Sequence, residues 1–235
     1  MEDLRVQLTE SVAVDDFVTW SEWALARVGF RPSNTLAVVD VCRDELMADF
    51  DDAVSVVWGK PFDIGALAGM VFLGKTGLQA ALSHVPGEDG RHRFVVFCFP
   101  HIGFDDEGTV GRVLRRGMSR ASTACGALAA FRSELATGDR AFSLDTDDVE
   151  QSLLRMRLAP LVPGTEVPSL LGLTELARAT AVADVRHFVD LARGSEPVDV
   201  AYISGIVVHL PEGVDRVVSV AAEVIIDDIV IALPH

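Results

Sequence analysis

The stretch Thr35–Glu45, TLAVVDVCRDE, constrains this chain most. Thr35 to Val41 holds five apolar residues in seven and is rich in valine, the pattern of a strand buried on both faces. Such a strand belongs inside a parallel sheet, and ligands of open α/β sheets gather just outside the carboxyl ends of the strands. Here that end carries Cys42, Arg43, Asp44 and Glu45: a thiol, then a carboxylate two residues on. A second run of this kind, RFVVFCFPH, ends at His101. If the two strands are parallel neighbours, Cys42 and His101 converge at one edge of the sheet.

Helical signals separate the strands. Ser11–Val28 has apolar residues at helical spacing and stops at Gly29, with Pro32 beyond. Asp44–Trp58 reads as a helix with an acidic start, and Gly77–His84 as a short one ended by Pro86-Gly87. Pro61–Leu73 fits helix and loop equally, and residues 102–118 read as a glycine-bearing loop or ribbon. Ser119–Leu135, Asp145–Leu158 and the long Leu170–Arg193 complete the helices. Val198–Leu210 and Val214–Leu233 read as strands around the turn Pro211-Glu212-Gly213. The expected architecture is α/β, a mainly parallel sheet flanked by helices, with antiparallel strands added by the tail. No repeat divides the 235 residues, and the proline-marked stretch 160–168 is too short to argue for two domains, so one domain over 1–235 is expected.

Composition narrows the function. A formal net charge of −15 opposes the phosphates of nucleic acid. No apolar run is long and clean enough to span a membrane. The start, MEDLRVQLTE, is acidic and lacks the apolar core of a secretory signal. Three cysteines, an odd and sparse number, do not make a disulfide framework and fit a reducing cytoplasm, where thiols bind metals or catalyse.

Cys42, His101 and Cys125, the last in STACGAL, form a zinc-ligand set, and the catalytic version of such a set leaves one position open. Cys125 lies near the start of a helical pattern, where backbone N–H groups favour a thiolate. Each cysteine alone is more often core than ligand. Cys98, alternating with apolar neighbours in FVVFCFP, is read as core, and His84, His92, His187 and His209 as surface or satisfied histidines. His84 and His92 flank a turn and are candidates for moving protons.

In order along the chain, VCRDEL, AGMVFLGKTGLQAALSHVP, FPHIGFDDEGTVGRV and SRASTACGAL resemble the limiting-CO2-inducible protein B family, itself similar to β-carbonic anhydrases. The resemblance runs from about residue 30 to 135 and, more weakly, through YISGIVVHL. It implies zinc on Cys42, His101 and Cys125, a carbonic anhydrase reaction between CO2 and bicarbonate with zinc-bound hydroxide as nucleophile, and a homodimer. It also implies that Asp44 either orients the nucleophile or closes the metal site. β-Carbonic anhydrases carry Cys-x-Asp-x-Arg, the arginine pairing with the aspartate; here Leu46 stands at the arginine position, and Arg43 is the adjacent candidate.

Two other readings compete. Gly69–Thr76 fits the phosphate-loop pattern G-x-x-x-x-G-K-[ST] of a nucleotide-binding enzyme, with Asp227 in EVIIDD as the matching acidic residue. Its interior, MVFL, is bulky and apolar, and no clear strand feeds Gly69, which count against a phosphate cradle. The third reading is a zinc-stabilised structural or sensing protein, with Asp44 as a fourth ligand.

Overall fold

The valine- and phenylalanine-rich runs pair as parallel strands because helices cover both of their faces. The computed structural model describes residues 8–87, 90–138, 142–194, 196–211 and 213–233. In chain order the strands are β1 (Val12–Ala13), β2 (Leu36–Val41), β3 (Phe62–Asp63), β4 (His92–Phe99), β5 (His101–Gly103), β6 (Arg112–Val113), β7 (Ser122–Thr123), β8 (Val198–His209), β9 (Arg216–Ile226) and β10 (Ile229–Ala232). The main sheet has the order β1-β9-β8-β4-β2-β3, with β5 also on β8 and β10 on β9; β6 and β7 pair separately. The pairs β2–β3, β2–β4, β4–β8 and β5–β8 are parallel. The tail strand β9 runs antiparallel to β8, β1 and β10. The protein is therefore an α/β fold with a mostly parallel central sheet flanked by helices.

The helices are α1 (Val14–Ala26), α2 (Ala48–Trp58), α3 (Gly74–Leu82), α4 (Gly126–Thr137), α5 (Val149–Leu158) and α6 (Leu170–Arg193). Alternation along the strands sorts the core into two layers. Val39, Val41, Phe97 and Phe99 join Phe17 of α1 and Phe50 of α2 on one face, with Leu128 and Phe131 of α4 and Leu154 of α5 in the same cluster. Val38, Val96 and Cys98 face the other way, with Leu78 of α3 and Val185 of α6. Phe50 and Phe99 meet at a ring-centroid distance of 4.8 Å. Cys98 is fully buried in this second layer, as a core residue should be.

Several boundaries differ from those the pattern suggests, for local reasons. Val12–Ala13 pairs with β9, so α1 starts only at Val14. Trp20 stacks on Phe17, whereas Trp23, one turn on, is 59% exposed beneath Arg27. The apolar stretch Pro61–Leu73 is mostly irregular: β3, then a single 3-10 turn at Leu67–Gly69, closed by a bridge between Gly65 and Val71. Val214–Leu233 is two strands, because Asp227 and Asp228 both adopt positive φ and turn the chain tightly between β9 and β10. The acidic residues 1–7 and Glu212 of the expected turn lie outside the described residues. No helix among the described residues is long and apolar enough to cross a membrane.

Candidate metal centre

The parallel register decides where the candidate ligands meet. Val41 of β2 pairs with Phe99 of β4, so Cys42 and His101 both emerge at the carboxyl edge of the sheet. Cys125 arrives from the β6–β7 hairpin. Gly103 lets that hairpin come close: a Cβ there would stand 2.8 Å from the Arg112 carbonyl oxygen and 2.9 Å from the Ala124 Cβ. Cys125 then precedes α4 in a left-handed conformation, φ 57°, which a non-glycine residue adopts only under strain. That strain ends the hairpin and explains why the helix begins at Gly126 and not near Ser119.

The donor atoms of Cys42, His101 and Cys125 all lie within 4.8 Å of one another. The three residues are 5%, 0% and 1% exposed. Tetrahedral zinc with Zn–S bonds of about 2.3 Å separates two ligand sulfurs by roughly 3.8 Å, well inside this span. The orphaned atom of the cluster is His101 Nε2, fully buried and without a hydrogen-bond partner. A buried imidazole nitrogen left unpaired beside two thiols fits a metal donor set. The site also holds a second strained residue, Ala68, at φ 60°. Its N–H donates to Cys42 Sγ at 3.2 Å. The loop bearing Ala68 is pressed against β2 because Gly65 has no side chain; a Cβ there would sit 2.1 Å from the Val41 carbonyl oxygen.

The two thiols share a proton. The Cys125 thiol bonded to Cys42 draws the Cys42 pKa well below the usual thiol range, helped by His101 and against the cost of burial. The same bond, with burial, holds Cys125 well above it. A divalent cation would displace the shared proton.

Asp44 sits at the mouth of this cluster. It caps the 3-10 turn Glu45–Met47, accepting from the Leu46 N–H at 3.2 Å. Its Oδ2 is 3.9 Å from His101 Nε2. Burial raises its pKa, but His101, the Leu46 amide, Glu45 and Arg115 together bring it below the ordinary carboxylate value, so it is ionised. Its arginine partner is Arg115, whose Nη2 donates to both carboxylate oxygens at 2.9 and 2.7 Å. Arg115 is itself fixed by Glu45, by Ser122 Oγ and by the Thr123 carbonyl, at 2.6, 2.6 and 2.8 Å.

The pairing expected of Arg43 therefore falls to Arg115. The Arg43 side chain leaves the strand end on the other side and donates to Glu150 at 2.8 Å. Glu150 also accepts from the Leu67 N–H at 3.1 Å, which ties α5 to the loop under Cys42. His209, which reads from sequence as a surface or satisfied histidine, is buried, and its Nε2 lies 3.0 Å from His101 Nδ1. His92, by contrast, opens β4 while His101 follows its far end, roughly 30 Å along the strand, so it is no neighbour of the cluster.

The phosphate-loop pattern is not a phosphate cradle. Met70 and Val71 are buried in the core, Lys75 is exposed on α3, and Asp227 lies in the β9–β10 turn, paired with Arg91 at 2.8 Å.

Known proteins share this fold. The crystal structure of PtLCIB4, a homolog of the limiting CO2-inducible protein LCIB, superposes with a TM-score of 0.82 at 24% identity, covering 96% of this chain and 95% of that one. The limiting CO2-inducible protein LCIB itself gives 0.76 at 28% identity, over 95% and 94%. Curated protein sequences offer no match. The family model for limiting CO2-inducible proteins B/C, beta carbonic anhydrases, matches residues 11–226, from the start of β1 to the end of β9 and through every residue of the cluster. The chain belongs to the limiting CO2-inducible protein B/C family of beta carbonic anhydrases.

Proposed function

We propose that this protein catalyses the reversible hydration of CO2 to bicarbonate, with zinc held by Cys42, His101 and Cys125. The observation that carries the reading is a buried three-donor cluster with an ionised carboxylate, Asp44, restrained at its mouth by Arg115. Zinc, when bound, supplies a Lewis acid that makes water nucleophilic near neutral pH. The side chains do the rest. Asp44 accepts a hydrogen bond from the attacking water and fixes its orientation. Arg115 keeps Asp44 ionised and holds it away from the donors, so that a position stays open for substrate. The burial of the three donors keeps bulk water from competing with CO2. Arg43, proposed from its place beside Cys42, acts from outside, through Glu150 and the loop at Leu67.

The reading extends to a single-domain, cytoplasmic homodimer. Trp23 and Val56, 59% and 85% exposed, support a surface for a second copy, and three free, buried cysteines support a reducing compartment.

The test is metal analysis of freshly purified protein together with stopped-flow CO2 hydration. Zinc-loaded protein giving no rate above buffer at any pH up to about 9 refutes the hydratase reading. The 3.9 Å between Asp44 Oδ2 and His101 Nε2 favours one successor, a structural or sensing zinc protein with Asp44 as fourth ligand.

A further inference from the structure

A histidine offers a metal either ring nitrogen, and the hydrogen bond on the other nitrogen decides which. In this protein that decision begins at a carboxylate two groups away. Asp215 Oδ2 lies 2.8 Å from His209 Nδ1. His209 Nε2 lies 3.0 Å from His101 Nδ1, with the rings edge-on at 76°. An ionised carboxylate only accepts, so Nδ1 of a neutral His209 carries the proton. His209 Nε2 is then a lone pair and accepts, so His101 Nδ1 donates. His101 Nε2 is left without a proton, its lone pair free on the side of Cys42 and Cys125. It is also the His101 nitrogen without a hydrogen-bond partner, with Asp44 Oδ2 3.9 Å away.

We infer that His209 and Asp215 are positioning residues that preset His101 as an Nε2 metal donor before any metal arrives. Backbone pairing builds the chain of contacts. β5 continues the sheet past β4, and the parallel register sets His101 opposite Val207 and Gly103 opposite His209. His101 and His209 are therefore diagonal neighbours on one face of the sheet. The Phe104 N–H anchors the His209 carbonyl at 2.9 Å. Beyond the turn, Val208 pairs with Arg216, which returns Asp215 beside His209. The Val14 N–H at the start of α1 holds the Asp215 carbonyl at 3.2 Å. The antiparallel tail thus supplies the carboxylate that a parallel strand end lacks. His209 is 2% exposed, so water does not compete for these bonds.

The inference rests on the zinc reading of Cys42, His101 and Cys125, and the experiment separates the two. Zinc affinity is measured by competition with a chromogenic chelator for wild type, His209→Leu, His209→Gln and Asp215→Leu, with circular dichroism reporting the fold. Imidazole 15N NMR of metal-free wild type reads the tautomer of His101 directly. His209→Leu is expected to fold and to bind zinc about 10- to 100-fold more weakly. His209→Gln, whose amide oxygen can accept from His101 Nδ1, should recover most of that loss; a packing role would not distinguish the two. Metal-free wild type should show the His101 proton on Nδ1. Wild-type affinity in folded His209→Leu, no recovery in folded His209→Gln, or a proton on Nε2 in the NMR overturns the inference. If His209→Leu does not fold, Asp215→Leu and the NMR of wild type decide. Wild type that binds no zinc overturns the metal reading and this inference together. Wild type that binds zinc no better than its variants overturns the inference alone.

Discussion

Replacing Arg115 by methionine removes the guanidinium and keeps most of the aliphatic stem, so it tests charge and hydrogen bonding rather than packing. The change deletes the two bonds to Asp44 and those to Glu45, Ser122 and Thr123. The side chains of Arg115 and Asp44 are 19% and 11% exposed, whereas that of Glu45 is 70% exposed. The Glu45 contact is therefore worth at most about 1 kcal/mol. The shielded, charge-assisted contact with Asp44 is worth roughly 1.5–3 kcal/mol. With the two hairpin contacts, and without assuming additivity, the loss is about 3 kcal/mol. In a chain of this length that lowers Tm by roughly 6–12 °C. The larger effect is on rate. An Asp44 no longer held on both oxygens stops orienting water, and hydration should fall about 10- to 1000-fold, roughly 1–4 kcal/mol of barrier. Zinc content should stay near the wild-type level, because the Arg115 bonds go to Asp44, Glu45, Ser122 and Thr123 and not to the donor atoms of Cys42, His101 or Cys125. Stopped-flow hydration, calorimetry and metal analysis on the same preparation check all three. A rate within two-fold of wild type, in a protein whose Tm has dropped, would refute the role assigned to the Arg115–Asp44 pair.

Other outcomes follow from the same geometry. Changing Cys42, His101 or Cys125 to alanine should remove the bound metal, about one zinc per wild-type chain, while Cys98→Ala keeps it; atomic absorption reads both. Gly65→Ala forces the loop bearing Ala68 off the end of β2, and chemical denaturation should show a loss of about 1–3 kcal/mol, with weaker zinc binding. Burial, then Asp63 and Asp52, raise the Asp51 pKa to about 6. A raised carboxylate contributes stability that is present below its unfolded value and is lost as pH rises through the folded one. Asp51→Asn should therefore be more stable than wild type above about pH 6, by about 1 kcal/mol after allowing for its partial exposure, with the two converging below about pH 4 in urea titrations. Hydration should quicken from neutral pH toward about pH 9, since two thiolate donors offset the charge of the metal; a flat pH–rate profile would count against that donor set.

Two of the three candidate donors can be read from the sequence because each follows an unbroken apolar strand, and parallel neighbours end together. The long helix α6 is equally legible, running from Leu170 to Arg193 with Gly194 after it, because its apolar spacing is strong and its stop is a glycine. What is not legible depends on contacts between distant residues. Arg115 lies in a weakly patterned segment 71 positions from Asp44, and nothing local marks it as the partner. Adjacent Arg43 looks better in sequence, but successive residues leaving a strand point to opposite sides. His209 sits in the apolar run YISGIVVHL, where a single imidazole reads as a surface or satisfied histidine, and its contact with His101 appears only when β5 is seen to pair with β8. The stretch Pro61–Leu73 stays open between helix and loop in sequence because its apolar residues are buried by a mostly irregular segment with no regular period.

The order of synthesis gives the sheet a further consequence. β8 is a central strand, yet Val200 pairs with Phe94, so β4 waits for a neighbour made much later. All three candidate metal donors, and the strands that lead to Cys42 and His101, leave the ribosome before residue 126. At roughly 5–20 residues per second, β8 takes about another 4–17 s to emerge. Throughout that interval β4 presents an open, phenylalanine-rich edge, the kind of edge that recruits another chain. His101 meanwhile lacks the neighbour His209 and, beyond it, Asp215. Escape from aggregation in the cell thus waits on the arrival of β8.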